Sequence, residues 1–230
     1  MTSHIPEILL LCMDSAYIAA FNAAMGDLWP SHTNSEIKIT TINERLNSIS
    51  PSTTFDLIVS PANSYGRLDG AFDHAISMTF SPRHDYHALT RAAQLVLYDK
   101  YRGFAPPGSC TLVEFPKHLK KNPRGCEWVA ICPTMREPDN VSWDREVVYE
   151  CTWSLLCQVE GHNPGLGNIE TLLMTPLAVG VGKVSKERWA AQTVMAFKHF
   201  VEAVQKPEVW SGLEWNTIEK IGNEIEGTWK

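Results

Sequence analysis

The sequence has no C-x-x-C pair among its six cysteines, no internal repeat, no low-complexity tract and no apolar run long enough to cross a bilayer. Each absence removes a class of protein. Cys12, Cys110, Cys126, Cys132, Cys151 and Cys157 lack the spacing of a zinc-ligand set, and several lie inside apolar patterns. They read as buried free thiols in a reducing compartment, not as a disulfide framework, and neither metal nor cofactor is expected. Runs such as Ile8 to Met13 fall far short of the roughly 20 residues of a spanning helix, and Met1 to Glu7 carries no basic n-region. Positive charge is not in surplus: 20 Lys and Arg stand against 26 Asp and Glu, a net charge of −6. No global field therefore draws nucleic acid or anionic lipid, although a local basic patch stays possible. Neither G-x-x-x-x-G-K-[ST] nor G-x-G-x-x-G occurs, which speaks against a nucleoside triphosphatase or a Rossmann dehydrogenase. The expectation is a protein of the cytoplasm or nucleus with no membrane partner.

What is present is the material of one α/β domain. With 44% hydrophobic and 20% charged residues, a chain of 230 residues can bury a sizeable core. Strand candidates are Glu7 to Cys12, Glu36 to Thr41, Phe55 to Ser60, Ser109 to Glu114, Glu127 to Cys132 and Ile169 to Thr175. Helical stripes lie between most of them. Val147, Cys151, Leu155 and Val159 recur every four residues between a cap at Ser142 and a stop at Gly161, and Lys186 to Gln205 carries a second apolar face that Pro207 ends. A shorter stripe runs through Leu89, Ala92, Ala93, Val96 and Leu97. Such alternation predicts a three-layer α/β/α sandwich around a mixed central sheet. The division expected is a domain over 1–206 and a C-terminal helical extension over 207–230. In that extension Trp210, Leu213, Trp215, Ile218, Ile221 and Ile225 share one helical face, which would dock on the body or, alternatively, bind a protein partner.

Two segments share a strand-to-helix grammar in which phosphorylated ligands are commonly held. In the first, Leu57, Ile58 and Val59 form a short strand that Pro61 stops, and Asn63, Ser64, Gly66, Asp69 and Gly70 follow. Asp69 suits the N-cap of the next helix, leaving the amides of residues 70 to 73 free to face an anion. In the second, Leu172 to Met174 lead into a loop with Gly180 and Gly182, and Ser185 suits a further N-cap. Glycine at 66, 70, 180 and 182 lets backbone approach a ligand closely. Other polar residues keep two readings. Lys117, Lys120, Lys121 and Arg124 read as a solvated loop rather than a phosphate patch; His74 as an ordinary partly buried side chain rather than one that approaches the pocket; His84 and His87, flanking Asp85, as a solvated loop rather than a metal cluster; and Thr134 and Arg136 follow a strand end that should line the same rim as the two loops, the plain alternative being Arg136 paired with Glu137 at the surface.

Taken together these segments resemble the macro domain family, and most of all its branch written S-P-A-N-S-F/Y-G-x-x-D-G with a later P-T-M-R. Here Ser60 to Gly70 has that form, and Pro133-Thr134-Met135-Arg136 follows the strand Trp128 to Cys132. The likeness spans about residues 37 to 204. It implies an α/β/α sandwich that binds ADP-ribose or a derivative. It implies Asn63 and Asp69 as the catalytic candidates, orienting the distal ribose and a water for hydrolysis of ADP-ribose 1''-phosphate or an ADP-ribosyl ester. The implied ligand-binding residues are Asn43, Ser64, Gly66, Gly70, Ala71, Thr134, Ala178, Val179, Gly180, Val181 and Gly182. The chain departs from the family in its short first loop, where Arg67 and Leu68 replace part of a glycine run. It also has Val181 where the family often has an aromatic residue, and Asn43 near the usual adenine-binding aspartate. The bland readings stay beside these: Asn63 bonding its own turn, Asn43 as a turn residue and Asp69 as a cap. The alternatives in function are a non-catalytic ADP-ribose reader, and a macro-like protein that binds another nucleotide or acts through a protein interface.

Overall fold

The computed structural model describes residues 5–32, 37–166 and 169–229. Its strands are β1 (Glu7–Leu11), β2 (Ile39–Ile42), β3 (Leu57–Ser60), β4 (Thr111–Glu114), β5 (Trp128–Ile131) and β6 (Thr171–Met174). Its helices are α1 (Ser15–Leu28), α2 (Ala71–Phe80), α3 (Ala88–Tyr101), α4 (Val147–Leu166), α5 (Lys186–Gln205), α6 (Pro207–Trp210) and α7 (Trp215–Glu226). The strands form one sheet in the order β2-β1-β6-β3-β5-β4. All neighbours are parallel except β4, which runs antiparallel to β5. Five predicted strands are trimmed by a residue or more; the second starts later than expected, at Ile39, and runs one residue past its predicted end to Ile42, and its predicted start, Glu36, lies outside the described residues.

Alternation within the strands explains the layers. Ile8, Leu10, Leu57, Val59, Leu172 and Met174 face a core shared with Phe21 and Met25 of α1, Cys151 and Leu155 of α4, and Trp189 and Phe197 of α5. The intervening Leu9, Leu11, Ile58, Leu173, Val129 and Ile131 face a second core with Ile76 and Phe80 of α2 and Leu89, Ala93 and Leu97 of α3. With a side-chain period of two, a strand that is apolar throughout must be covered on both faces. The result is the expected three-layer sandwich with a mixed sheet. Burial of each large side chain in these cores contributes about 1.5–3 kcal/mol.

Local signals set some helix ends and not others. Asp14 Oδ1 accepts from Ala16 N at 2.8 Å to start α1, and Ser185 Oγ accepts from Arg188 N at 3.1 Å to start α5 as expected. Helix α4 differs from its prediction at both ends. Asp144, not Ser142, caps it, its Oδ1 accepting from Glu146 N and Val147 N at 3.2 Å each. At the other end the helix passes through Gly161 and ends at Leu166. A glycine inside a helix costs only about 1 kcal/mol, which packing of the apolar face outweighs.

The C-terminal segment lies against α4 and α5. Trp210 stacks on Trp153 with centroids 5.4 Å apart. Glu224 accepts from Lys198 Nζ at 2.6 Å and lies 3.0 Å from His199 Nε2, while His199 Nδ1 lies 3.0 Å from the Tyr149 hydroxyl. The predicted apolar face is covered at its two ends and open in the middle. Ile225 is buried, whereas Leu213, Trp215 and Ile218 are exposed, because the α6–α7 turn leaves the start of α7 off the body. Among the described residues no helix is long and apolar enough to cross a membrane.

Candidate functional site

Parallel pairing brings the carboxyl ends of β2, β1, β6, β3 and β5 to one edge of the sheet. Open α/β sheets bind ligands at that edge. Strands β3 and β6 are neighbours, with Leu57 opposite Leu172 and Ile58 opposite Leu173, so the loops after them begin side by side. The loop after β5 adjoins the first of these. Thr134 N donates to Ala62 O at 3.0 Å and Ser64 N to Met135 O at 2.9 Å, and Asn63 forms a parallel bridge with Met135. The β5 loop also reaches the loop after β6, through Val141 N donating to Gly182 O at 2.9 Å, and the first turn of α5, through Arg188 Nη1 donating to Ser142 O at 2.7 Å. Hydrogen bonds thus tie all these loops into one rim.

The first loop folds on its own side chains. Asn63 Oδ1 accepts from Tyr65 N at 3.1 Å and Arg67 N at 3.3 Å, and its Nδ2 donates to Arg67 O at 2.9 Å. One Nδ2 hydrogen has no acceptor among the described residues. Gly66 has φ 64°, a conformation that favours glycine, and a Cβ there would in addition crowd Leu97 Cδ1 at 2.9 Å. Asp69 does not cap α2. Its carboxylate is held by Arg67, with Nε at 2.9 Å and Nη2 closer still, and the N-cap is Gly70, which makes no side-chain cap. A guanidinium two residues away outcompetes the helix amides because it offers a charge-assisted fork. Ala71 then adopts φ 46°, a conformation that costs a non-glycine residue free energy and that tends to occur at functional sites.

That arrangement leaves the amides of Gly70, Ala71, Phe72 and Asp73 without an acceptor among the described residues. The second loop repeats it. The amides of Val179, Gly180, Val181 and Gly182 likewise have none, since the loop closes through Lys183 N to Gly180 O at 3.3 Å and Val184 N to Ala178 O at 3.1 Å. Ala178 has φ 60°. A Cβ on Gly182 would fall on the Ala178 carbonyl oxygen and 2.9 Å from Val141 Cγ2, so the position admits only glycine. Runs of unbonded amides in such turns are anion-binding concavities.

Asp73 lies under the first loop, 6% exposed, with Ser60 Oγ donating to its Oδ1 at 2.6 Å. Burial pushes its carboxyl up to about 7, against the Ser60 hydrogen bond, and the nearby charge of Asp69 adds to the rise. Nothing in the sequence marks it, because an acidic residue in the first turn of a helix is ordinarily a solvated one. Leu68, buried above it, is pinned by Thr90 Oγ1 accepting from its amide at 3.2 Å and by Ser77 Oγ donating to its carbonyl at 2.5 Å.

No protein-family model and no curated protein matches the sequence. Solved structures do. A glycine-to-valine mutant of the Oceanobacillus iheyensis macrodomain with ADPR superposes with a TM-score of 0.51 at 16% identity, over 66% of this chain and 74% of that one. The same macrodomain with ADP gives 0.50 at 16%, over 66% and 72%. An asparagine-to-alanine mutant of it gives 0.50 at 17%, over 66% and 70%. The chain has the macrodomain fold.

Within this macrodomain fold the sequence-predicted residues separate into groups. Asn63, Gly66, Asp69, Gly70 and Ala71 stand on the loop after β3, beside Ala178, Val179, Gly180, Val181 and Gly182 on the loop after β6. Gly180 and Val181 are exposed at its tip. Asn43 stands apart at the end of β2, where its Nδ2 donates to Cys12 O at 2.9 Å and ties that strand end to β1. Ser64 and Thr134 are buried beneath the rim: Ser64 Oγ donates to Met135 O at 3.2 Å, and Thr134 Oγ1 has no partner among the described residues. His74 is exposed and not partly buried, its Nδ1 lying 2.7 Å from the Tyr86 hydroxyl. Arg124 is a structural anchor, its guanidinium donating to Ser50 O at 2.5 Å and Ile49 O at 3.0 Å. A cavity of about 560 Å³ lined by Met25, Ile37 and Ile39 lies at the opposite edge, between the end of α1 and the start of β2, and is no part of this rim.

Proposed function

We propose that this chain binds ADP-ribose or a close derivative, with the diphosphate seated between the loops after β3 and β6. The observation that carries the reading is the pair of unbonded amide runs, residues 70–73 and 179–182, on the loops of neighbouring parallel strands. Backbone amides bond diphosphate oxygens without a lysine. The macrodomain fold supports the choice of nucleotide, since one of the superposed structures was solved with ADPR. In this reading Asn43 stands at the base end of the rim, Val181 shapes the pocket wall, and residues 1–206 carry the site while 207–230 brace it.

The enzymatic form of the proposal is hydrolysis of ADP-ribose 1''-phosphate or of an ADP-ribosyl ester. Asn63 orients the distal ribose through its remaining Nδ2 hydrogen, and Asp69 holds a water once Arg67 turns to the ligand. A second reading, a reader without turnover, is favoured by the commitment of both side chains to their own loop: Asn63 to Arg67 and Tyr65, Asp69 to Arg67. Calorimetric titration with ADP-ribose, ADP and AMP tests binding. Selective affinity for ADP-ribose is expected, and no binding to any of them would refute the assignment. Phosphate release from the 1''-phosphate, measured on the same preparation, separates enzyme from reader.

A further inference from the structure

At the β5 end of the rim an arginine is held in place without a counter-ion among the described residues. The Arg136 guanidinium carbon sits 4.9 Å from the Phe104 ring centroid, and Phe104 meets Tyr65 edge to face at 5.9 Å. The neighbouring Glu137 makes no pair with it, and Arg136 has no carboxylate partner among the described residues. Arg67 on the loop after β3, by contrast, is neutralised by Asp69. Backbone and side-chain bonds pin the group to the first loop: Ser64 N donates to Arg136 O at 3.2 Å, Ala105 N to Ser64 O at 2.9 Å and Gln94 Nε2 to Tyr65 O at 3.3 Å. Tyr65 is 42% exposed. A guanidinium lying on an aromatic ring has one face covered and its N–H edge free, the geometry that accepts an anion bidentately.

Sheet order says which part of a ligand would reach it. From β2 to β5 there are β1, β6 and β3 between, so at roughly 4.8 Å per neighbour the strand ends span about 19 Å, near the length of an extended nucleoside diphosphate sugar. With the base toward β2 and the diphosphate over β6 and β3, the second ribose falls toward β5.

We propose that Arg136, Phe104 and Tyr65 form an anion subsite for a phosphate monoester on the terminal ribose of the ligand. The inference rests on the ADP-ribose reading above and narrows it to the 1''-phosphate. The guanidinium edge bonds two phosphate oxygens, the Tyr65 hydroxyl donates a further bond, and Phe104 fixes the plane of the cation.

The test compares dissociation constants of ADP-ribose and ADP-ribose 1''-phosphate by calorimetry for the wild type, Arg136→Gln and Arg136→Lys. Where phosphate is released during the titration, the fall in initial-rate kcat/KM for the 1''-phosphate from wild type to Arg136→Gln, about tenfold or more expected, is read in place of the ratio, and an unchanged kcat/KM overturns the subsite. The wild type is expected to prefer the 1''-phosphate at least about tenfold. Arg136→Gln should bring the ratio to within about twofold of unity while ADP-ribose binding holds, and Arg136→Lys should restore part of it. Should Arg136→Gln fail to fold, Phe104→Leu serves, with a reduced ratio expected. A ratio near unity in the wild type, or one unchanged by loss of the arginine, overturns the subsite and leaves the ADP-ribose reading standing. Failure of the wild type to bind either ligand overturns both.

Discussion

Replacing Asp73 by asparagine should stabilise this protein at pH 8 relative to wild type far more than at pH 5. The carboxyl is almost fully buried, and burial raises it from 3.8 to about 7 in the folded state. In the unfolded chain it titrates near its ordinary value. Between those two points the unfolded state loses the proton while the folded state keeps it, so wild-type stability falls as pH rises. The contribution is whole below about pH 4 and gone above about pH 7. At about 1.36 kcal/mol per pH unit the full loss is about 4 kcal/mol, and the part between pH 5 and 7 about 2–3 kcal/mol. Asparagine keeps the shape and an oxygen to accept from Ser60, but it cannot ionise. The difference between the two proteins should therefore grow by about 2–3 kcal/mol from pH 5 to pH 8, roughly 5–10 °C in Tm for a chain of this size. Thermal unfolding followed by circular dichroism at several pH values reads this directly, because every other titrating group is common to both proteins and cancels. Parallel Tm profiles would refute the reasoning. A difference that shrinks with pH would mean that Asp73 is stabilised as an anion, by the free amides at the start of α2.

Other outcomes are expected of the rim and its supports. Asn63→Ala should weaken ADP-ribose binding and also cost about 1–2 kcal/mol of stability, since its turn bonds are lost, and Kd and Tm should be measured together. If the chain turns over the 1''-phosphate, Asp69→Asn should lower kcat with KM nearly unchanged; a change in KM alone would place Asp69 in ground-state binding. Gly182→Ala should distort the second loop against the Ala178 carbonyl and abolish ADP-ribose binding by calorimetry, while Gly180→Ala, where a Cβ meets open space, should retain it. Glu224→Ala should loosen α7 by removing the acceptor of Lys198 and the partner of His199, raising amide exchange in residues 215–226 with little effect on the core.

Much of the architecture was legible because it is written in short-range periodicity. Apolar strands such as Leu57 to Ser60 and the stripe of Lys186 to Gln205 declare their type over a few residues, and Ser185 announces a helix start by a bond to a residue three positions away. The two loops with unbonded amides are visible for the same reason, as glycine-bearing turns after strands. Competition among nearby groups was not. Asp69 is chemically fit to cap α2, yet Arg67 takes it; Ser142 is fit to cap α4, yet Asp144 does so. Either choice satisfies local rules, and the packed rim selects one. The tail shows the limit of periodicity from another side, since an amphipathic pattern states that a face is apolar but not how much of it finds a partner.

Local pattern carries the type of most elements, the two apolar faces of the inner strands, and the glycines that permit a left-handed or crowded backbone. Tertiary packing alone makes β3 and β6 neighbours, bonds Val141 to Gly182 across the rim, buries Asp73 beneath it, and rests Arg136 on Phe104 with no counter-ion among the described residues. The physical reason is range. Secondary structure follows from bonds and side-chain contacts a few residues apart, whereas strand order, burial of a charged group and the pairing of a surface cation depend on segments tens of residues distant, whose meeting no local pattern encodes.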